Sequence, residues 1–139
     1  MPRDRLNVLL RGAGLRVTPQ RVAVLETLAT GRHLATCQDL WRRAQRRAAG
    51  LGLVTAYRIL ERMRDAGLVE QIDIRGTAYF GLTDRHHDHT ICQRCGTIEA
   101  TDGCLLDSLA GKRLRGTGFL VQGHRLDLLG LCHACQQAV

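Results

Sequence analysis

Two CxxC pairs, Cys92-x2-Cys95 and Cys132-x2-Cys135, constrain this chain more than anything else in it. A CxxC makes a tight knuckle that presents two thiolates to one ion, and two knuckles complete a tetrahedral four-sulfur shell suited to Zn²⁺. Such a closed shell leaves no position for substrate. Its expected role is structural, one zinc per subunit, tying the segment around Cys92 to the C-terminal tail. The 139 residues contain no apolar run of 18 and no secretory leader, so the sequence reads as cytoplasmic with no membrane partner. Thiols stay reduced there, which favours metal binding over disulfides for the six cysteines. Cys37 and Cys104, outside the pairs, read as small buried apolar side chains.

Charge divides the chain in the same place. Residues 1–82 carry fourteen arginines and seven acids, whereas residues 83–139 carry six basic and six acidic side chains. All of the net charge of +7 therefore lies in the first half. Arginine's planar fork suits phosphates and guanine edges. The expected organisation is an anion-binding module over 1–82, a hinge at 83–85 and a metal-binding module over 86–139.

The basic half reads as helices followed by a hairpin. A short amphipathic start (Leu6, Leu9, Leu10) precedes "GLRVTPQRVAVLETLATG", where Thr18 is the N-cap, Pro19 the first helical residue and Gly31 the stop. Thr36 and Asp39 suggest a capping box for a second helix, with Leu40, Trp41 and Ala44 inward and Arg42, Arg43, Arg46 and Arg47 outward. A third helix is expected from near Thr55, with Ile59, Leu60 and Met63 buried and Gly67 ending it. "VEQIDIRGTAYFGL" then breaks around Arg75-Gly76 as a hairpin does. Three helices and a hairpin are the order of a winged helix-turn-helix, whose last helix enters the major groove of DNA. On that helix Thr55, Tyr57, Arg58 and Arg62 are the candidate DNA contacts, joined by Arg16 and Arg21 upstream.

The second half opens with "HHDHTICQRCG", residues 86–96. Read as a strand, it sends His86 and Asp88 to one face and His87 and His89 to the other, which implies two sites. "TDGCLLDSLAGKRLRG" reads as a helix carrying Asp107, and "FLVQGHRLDLLGLC" as a strand pair with His124 near its centre. A set of His86, Asp88, Asp107 and His124 offers two imidazoles and two carboxylates, acceptable to Zn²⁺, Fe²⁺ or Mn²⁺.

The blocks "GLRVTPQRVAVLETL", "GLVTAYRILERMRDAGLV" and "HHDHTICQRCG", with the closing CxxC, resemble those of the ferric uptake regulator superfamily in order and spacing, over almost the whole chain. The resemblance implies an α+β protein: an N-terminal winged helix-turn-helix followed by a small α/β dimerisation domain with a four-cysteine zinc site. It implies a homodimeric repressor that binds palindromic double-stranded operators and senses a metal. Tyr57 and Arg58 match the family's DNA-contacting "TVYR" segment, here "TAYR". His86, Asp88, Asp107 and His124 match a second metal site, with Asp107 where many members have Glu.

The regulatory site is where the chain departs from its family. His87 and His89 match, and His33 lies in the right loop one residue out of register. The position of the wing-end Glu is Gly81, which has no side chain. Some zinc-sensing members place Cys there and an acid near the start of the wing; Glu70 matches the acid, while a sulfur would have to come from a displaced residue such as Cys37. Ala100 also replaces an acid, with Glu99 adjacent. The expected regulatory set is therefore His87, His89, His33 and Glu70, holding Zn²⁺, Fe²⁺ or Mn²⁺, with zinc slightly favoured. A peroxide-sensing repressor of the same family is the alternative, and a zinc-dependent hydrolase built on His86, Asp88, Asp107 and His124 a remote one.

Overall fold

A computed structural model describes residues 1–31, 34–83, 88–101, 103–106 and 116–138. The chain divides into two compact units, Met1–Arg85 and His86–Val139. Among the described residues no helix is long and apolar enough to cross a membrane.

The first unit begins with α1 (Arg3–Gly12), which buries Leu6 and Leu10. In α2 (Pro19–Thr30), Pro19 takes the first helical turn, where its missing N–H costs nothing, and Thr18 Oγ1 accepts from Arg21 N at 3.3 Å. Its inner face is broader than the heptad spacing suggests, with Ala23, Val24, Leu25, Thr27 and Leu28 all buried. A two-residue strand, β1 (Ala35–Thr36), leads into α3 (Cys37–Ala44), where Thr36 caps by accepting from Asp39 N at 3.2 Å.

The four arginines expected to face outward from the second predicted helix divide, and Arg46 and Arg47 lie past the end of α3. Arg43 donates to Thr27 O at 3.0 Å, satisfying a carbonyl in the last turn of α2 that the helix itself leaves open. Its guanidinium lies against Gly31, so closely that a Cβ there would collide with it. Arg47 pairs with Glu26 at 3.3 Å. Helix packing thus uses two cations that the charge count assigned to solvent, and Arg42 and Arg46 remain exposed.

Helix α4 (Leu53–Asp65) starts two residues before Thr55, with Gly52 as its cap residue and no side-chain cap. It buries Ala56, Ile59, Leu60 and Met63, and Gly67 takes the left-handed φ of 78° that ends it. The hairpin follows: β2 (Val69–Ile74) and β3 (Thr77–Leu82) pair antiparallel across Arg75-Gly76. Both turn residues have positive φ, 51° and 78°, the geometry of a type I′ turn. β1 adds a third strand on β3, giving the order β1-β3-β2. Phe80, fully buried, joins the sheet to a core of leucines from all four helices.

The second unit is a three-stranded sheet of order β5-β4-β6: β4 (His89–Cys92), β5 (Ile98–Ala100) antiparallel to it, and β6 (Asp127–Gly130) parallel to it. A short helix, α5 (His133–Gln137), closes the chain. One expectation is corrected here. The stretch 119–132 forms one strand, β6, because the segment holding His124 has no regular structure. Of the helix expected around Asp107, residues 107–115 lie outside the described residues, and Gly103 to Leu106 before them form a turn with Gly103 at φ 85°. Asp107 itself lies outside the described residues, as do His33, His86 and His87.

Candidate metal centres and nucleic-acid interface

The four paired cysteines converge: their sulfurs all lie within 4.8 Å of one another, with Cys95 Sγ 3.7 Å from Cys132 Sγ. The backbone explains why. Gly96 N donates to Cys92 O at 2.9 Å, closing the first knuckle with Gly96 at φ 76°, and Gln93 N donates to Gly130 O, pinning it beside β6. Arg94 ties the knuckles together by donating to Cys135 O at 2.8 Å. Backbone N–H groups of Cys132 and Cys95 pull the Cys92 thiol down to about 5, because they point at the sulfur and stabilise its anion. Hydrogen bonding with Thr97 lowers Cys95. Cys135 moves the other way, up to about 12, driven first by its hydrogen bond with Cys132 and then by burial. Sulfurs this crowded resist four negative charges unless a cation joins them, and four thiols at tetrahedral spacing fit Zn²⁺.

A second cluster forms where the chain enters the same sheet. Asp88, immediately before β4, is fully buried, and its Oδ2 accepts from Leu105 N. Its Oδ1 lies 3.5 Å from His124 Nε2 and has no hydrogen-bond partner among the described residues. Cys104 completes the group, Sγ to His124 Nε2 being 3.0 Å. Sequence reasoning put Asp88 and His124 together and missed Cys104. The signal available was its place three residues before Asp107, in a segment already assigned to that site.

His89 faces elsewhere, as the alternation along a strand requires. It is buried, and its Nδ1 lies 3.7 Å from Asp127 Oδ1. Asp127 is the register partner of His89 in β6, and Ala100 is its partner in β5. Asp127, a residue the sequence did not single out, thus flanks the same histidine from the side opposite Ala100. Asp127 is held in turn by Arg125 at 2.8 Å.

Glu70 in β2 is the register partner of Gly81 in β3. Directly paired residues project to the same face of a sheet, so a carboxylate leaves the wing beside the position that lacks a side chain. Cys37 lines a groove with Tyr57, Gly76 and Ala78, at the turn end of β3, whereas Gly81 lies at the other end. Burial raises its thiol above the ordinary range.

On α4 the surface opposite the core shows Val54, Tyr57, Arg58 and Arg62 exposed and Thr55 half-buried. Tyr57 packs edge-on to Phe80, ring centres 6.3 Å apart, while staying 41% exposed. The core thus braces the ring without burying it. Arg16 is exposed, and Arg21 is partly committed, donating to Arg16 O at 2.8 Å. An exposed helix face with two outward arginines and a braced tyrosine, followed by a hairpin, has the parts needed to read a groove and grip phosphates.

The chain is similar to known proteins along nearly its full length. The ferric uptake regulator family matches it over residues 12–129. The ferric uptake regulation protein of Shigella flexneri is 35% identical over 129 residues, 91% of this chain and 87% of that one. The peroxide operon regulator of Bacillus subtilis is 31% identical, over 92% and 89%. The structure of the ferric uptake regulator from Pseudomonas aeruginosa with manganese superposes with a TM-score of 0.77 at 29% identity, over 92% of this chain and 98% of that one. The hydrolase reading falls away with these matches: the chain belongs to the ferric uptake regulator family, whose members are transcriptional regulators and not enzymes.

Proposed function

We propose that this protein is a cytoplasmic, homodimeric repressor that binds palindromic operator DNA when a regulatory metal is bound. The observation that carries the reading is the joint presence, in a chain matched by the family over residues 12–129, of an exposed basic helix face in one unit and two donor clusters in the other. Arg58 and Arg62 grip phosphate or guanine, Tyr57 and Thr55 add base-edge contacts, and Arg16 and Arg21 approach the backbone. Cys92, Cys95, Cys132 and Cys135 hold one structural Zn²⁺ per subunit. Asp88 and His124, with His86 and Asp107, form the second site.

The regulatory ion takes His87 and His89 from the second unit and Glu70 and His33 from the first. The register of Glu70 with Gly81 and the Asp127 carboxylate beside His89 support this set, since a carboxylate on the second nitrogen of a ligating imidazole fixes its orientation. A ligand set drawn from both units favours the arrangement in which two reading heads meet successive major grooves, and metal gates DNA only through that difference in affinity. Zinc is favoured as the sensed ion, because the oxygen ligand expected at position 81 is absent; Fe²⁺ and Mn²⁺ are the competitors.

The test is duplex DNA selected from a random pool by the metal-loaded protein. Its affinity is then measured for the full chain with its four-sulfur zinc retained, with and without added Zn²⁺, Mn²⁺ or, anaerobically, Fe²⁺. Metal is expected to tighten binding at least tenfold, about 1.4 kcal/mol, with a steep salt dependence. Equal affinity with and without metal overturns the reading. The likeness to the Bacillus subtilis peroxide operon regulator supports a second reading, in which bound Fe²⁺ and peroxide oxidise a ligand histidine. A gain of one oxygen on His33 or His89, with loss of DNA binding, selects it.

A further inference from the structure

We propose that Cys104 is a ligand of the second metal site, making it a sulfur-containing site in this chain in place of one built from nitrogen and oxygen alone. The proposal rests on reading Asp88 and His124 as metal ligands, and adds a donor that the sequence pattern did not assign.

Three donor atoms, Asp88 carboxylate oxygen, His124 Nε2 and Cys104 Sγ, lie within 4.8 Å of one another. Sulfur to nitrogen is 3.0 Å and nitrogen to oxygen 3.5 Å. Around Zn²⁺, with bonds of about 2.0–2.3 Å, a tetrahedron spaces neighbouring donors by about 3.4–3.6 Å. The sulfur–nitrogen and nitrogen–oxygen spacings therefore each lie within about half an ångström of those around a shared ion. Independently, Asp88 Oδ1 points into the cluster with no hydrogen-bond partner among the described residues, while its side chain has no exposure at all. A carboxylate oxygen buried in that state is costly unless a cation meets it. The other oxygen is fixed by Leu105 N, the residue after Cys104, so one turn both orients Asp88 and delivers the thiol.

The backbone makes that delivery specific. Thr101 Oγ1 donates to Gly103 O at 2.6 Å, and Thr101 N donates to Asp88 O at 2.9 Å, which anchors the turn to the start of β4. Gly103, at φ 85°, reverses the chain so that residue 104 faces His124. On binding, the thiol loses its proton to solvent and the sulfur donates a lone pair to the ion, with no change of oxidation state. A thiolate shifts preference towards Zn²⁺ and Co²⁺ and away from Mn²⁺, which prefers oxygen.

Cobalt supplies the test, because a thiolate bound to Co²⁺ gives a near-ultraviolet charge-transfer band and carboxylate or imidazole ligands do not. The full chain, carrying zinc in its four-sulfur site, is titrated with one equivalent of Co²⁺, and zinc retention is measured alongside. The wild-type chain is expected to develop the band. Cys104→Ser and Cys104→Ala are expected to lose it, to keep their circular dichroism, and to bind Co²⁺ at least tenfold more weakly. Cobalt bound by the wild type without the band, or a band that survives in both variants, overturns the proposal while leaving the second site standing. Asp88→Asn and His124→Ala test the underlying reading: retention of wild-type cobalt affinity in both removes the site itself. X-ray absorption of the wild-type cobalt form checks the assignment without any variant, with one sulfur neighbour expected and none contradicting it.

Discussion

The two units are held together by different physics. The first closes over fifteen buried apolar side chains contributed by four helices and a sheet, from Leu6 to Phe80. The second, among its described residues, buries Ile91, Val121, Cys92 and Cys135 on the apolar side, and Asp88 and His89 on the polar side. Withdrawing that apolar surface from water is the main source of stability in the first unit. Among the second unit's described residues, by contrast, the buried side chains are mostly ones that can bind metal. Leu128, Leu129 and Leu131, exposed along and after β6, and Phe119 and Leu120 before it leave further apolar surface on the same unit, which the proposed second copy would cover. On the proposed reading, this contrast would place metal dependence where it serves regulation and leave the reading surface folded whatever the metal supply.

The sharpest way to break this contrast is to remove the four-sulfur ion. Cys132→Ser, or exhaustive chelation under reducing conditions, is expected to abolish cooperative folding of the second unit, since structural zinc sites of this kind contribute on the order of 10 kcal/mol. Calorimetry should then show one transition where the intact chain has two. Next in size is Phe80→Ala, which opens a cavity at the junction of the sheet and α4 and is expected to destabilise the first unit by about 3–5 kcal/mol. Its transition should fall by many degrees while metal stoichiometry at the cysteines stays at one per chain. Arg58→Ala changes neither transition in this account; it is expected to weaken operator binding by about 1–3 kcal/mol and to flatten the dependence on salt, readable by anisotropy across a range of chloride concentrations. The smallest effect is expected from Thr18→Ala, which removes the cap of α2 and costs about 1 kcal/mol by urea denaturation.

How much of this was legible beforehand differs between the units for the same reason. Periodicity and caps reveal structure that is local, so Thr18, Thr36, the Ile59-Leu60-Met63 stripe and the Arg75-Gly76 turn stand in the fold as they read in the sequence. The start of α4 moved because a helix needs no side-chain cap where Gly52 will serve, and Arg43 and Arg47 were misassigned because an unfilled helix carbonyl and Glu26 are partners that no local window contains. In the second unit the CxxC spacing sufficed for the four sulfurs, since each knuckle is itself local. The rest depends on a parallel strand pair and a turn. Asp127 meets His89 only through the β4-β6 register, and Cys104 meets His124 only through the reversal at Gly103. The first pairing leaves no mark in spacing, and the second leaves only the nearness of Cys104 to Asp107. Positions 81 and 100 were legible as lacking an acid, and the sheet register sets Glu70, already singled out, beside the first and Asp127 across β4 from the second.

The contrast between the units is most directly tested by residue-resolved hydrogen exchange of the full chain, with its metals and after chelation. Amides of β4, β5 and β6, together with Gln93 and Gly96, are predicted to lose protection when the ions are withdrawn, while those of α2, α4 and the β2-β3 hairpin keep theirs. Equal loss in both units, or unchanged protection throughout, would contradict the claim that one unit is built on packing and the other on metal.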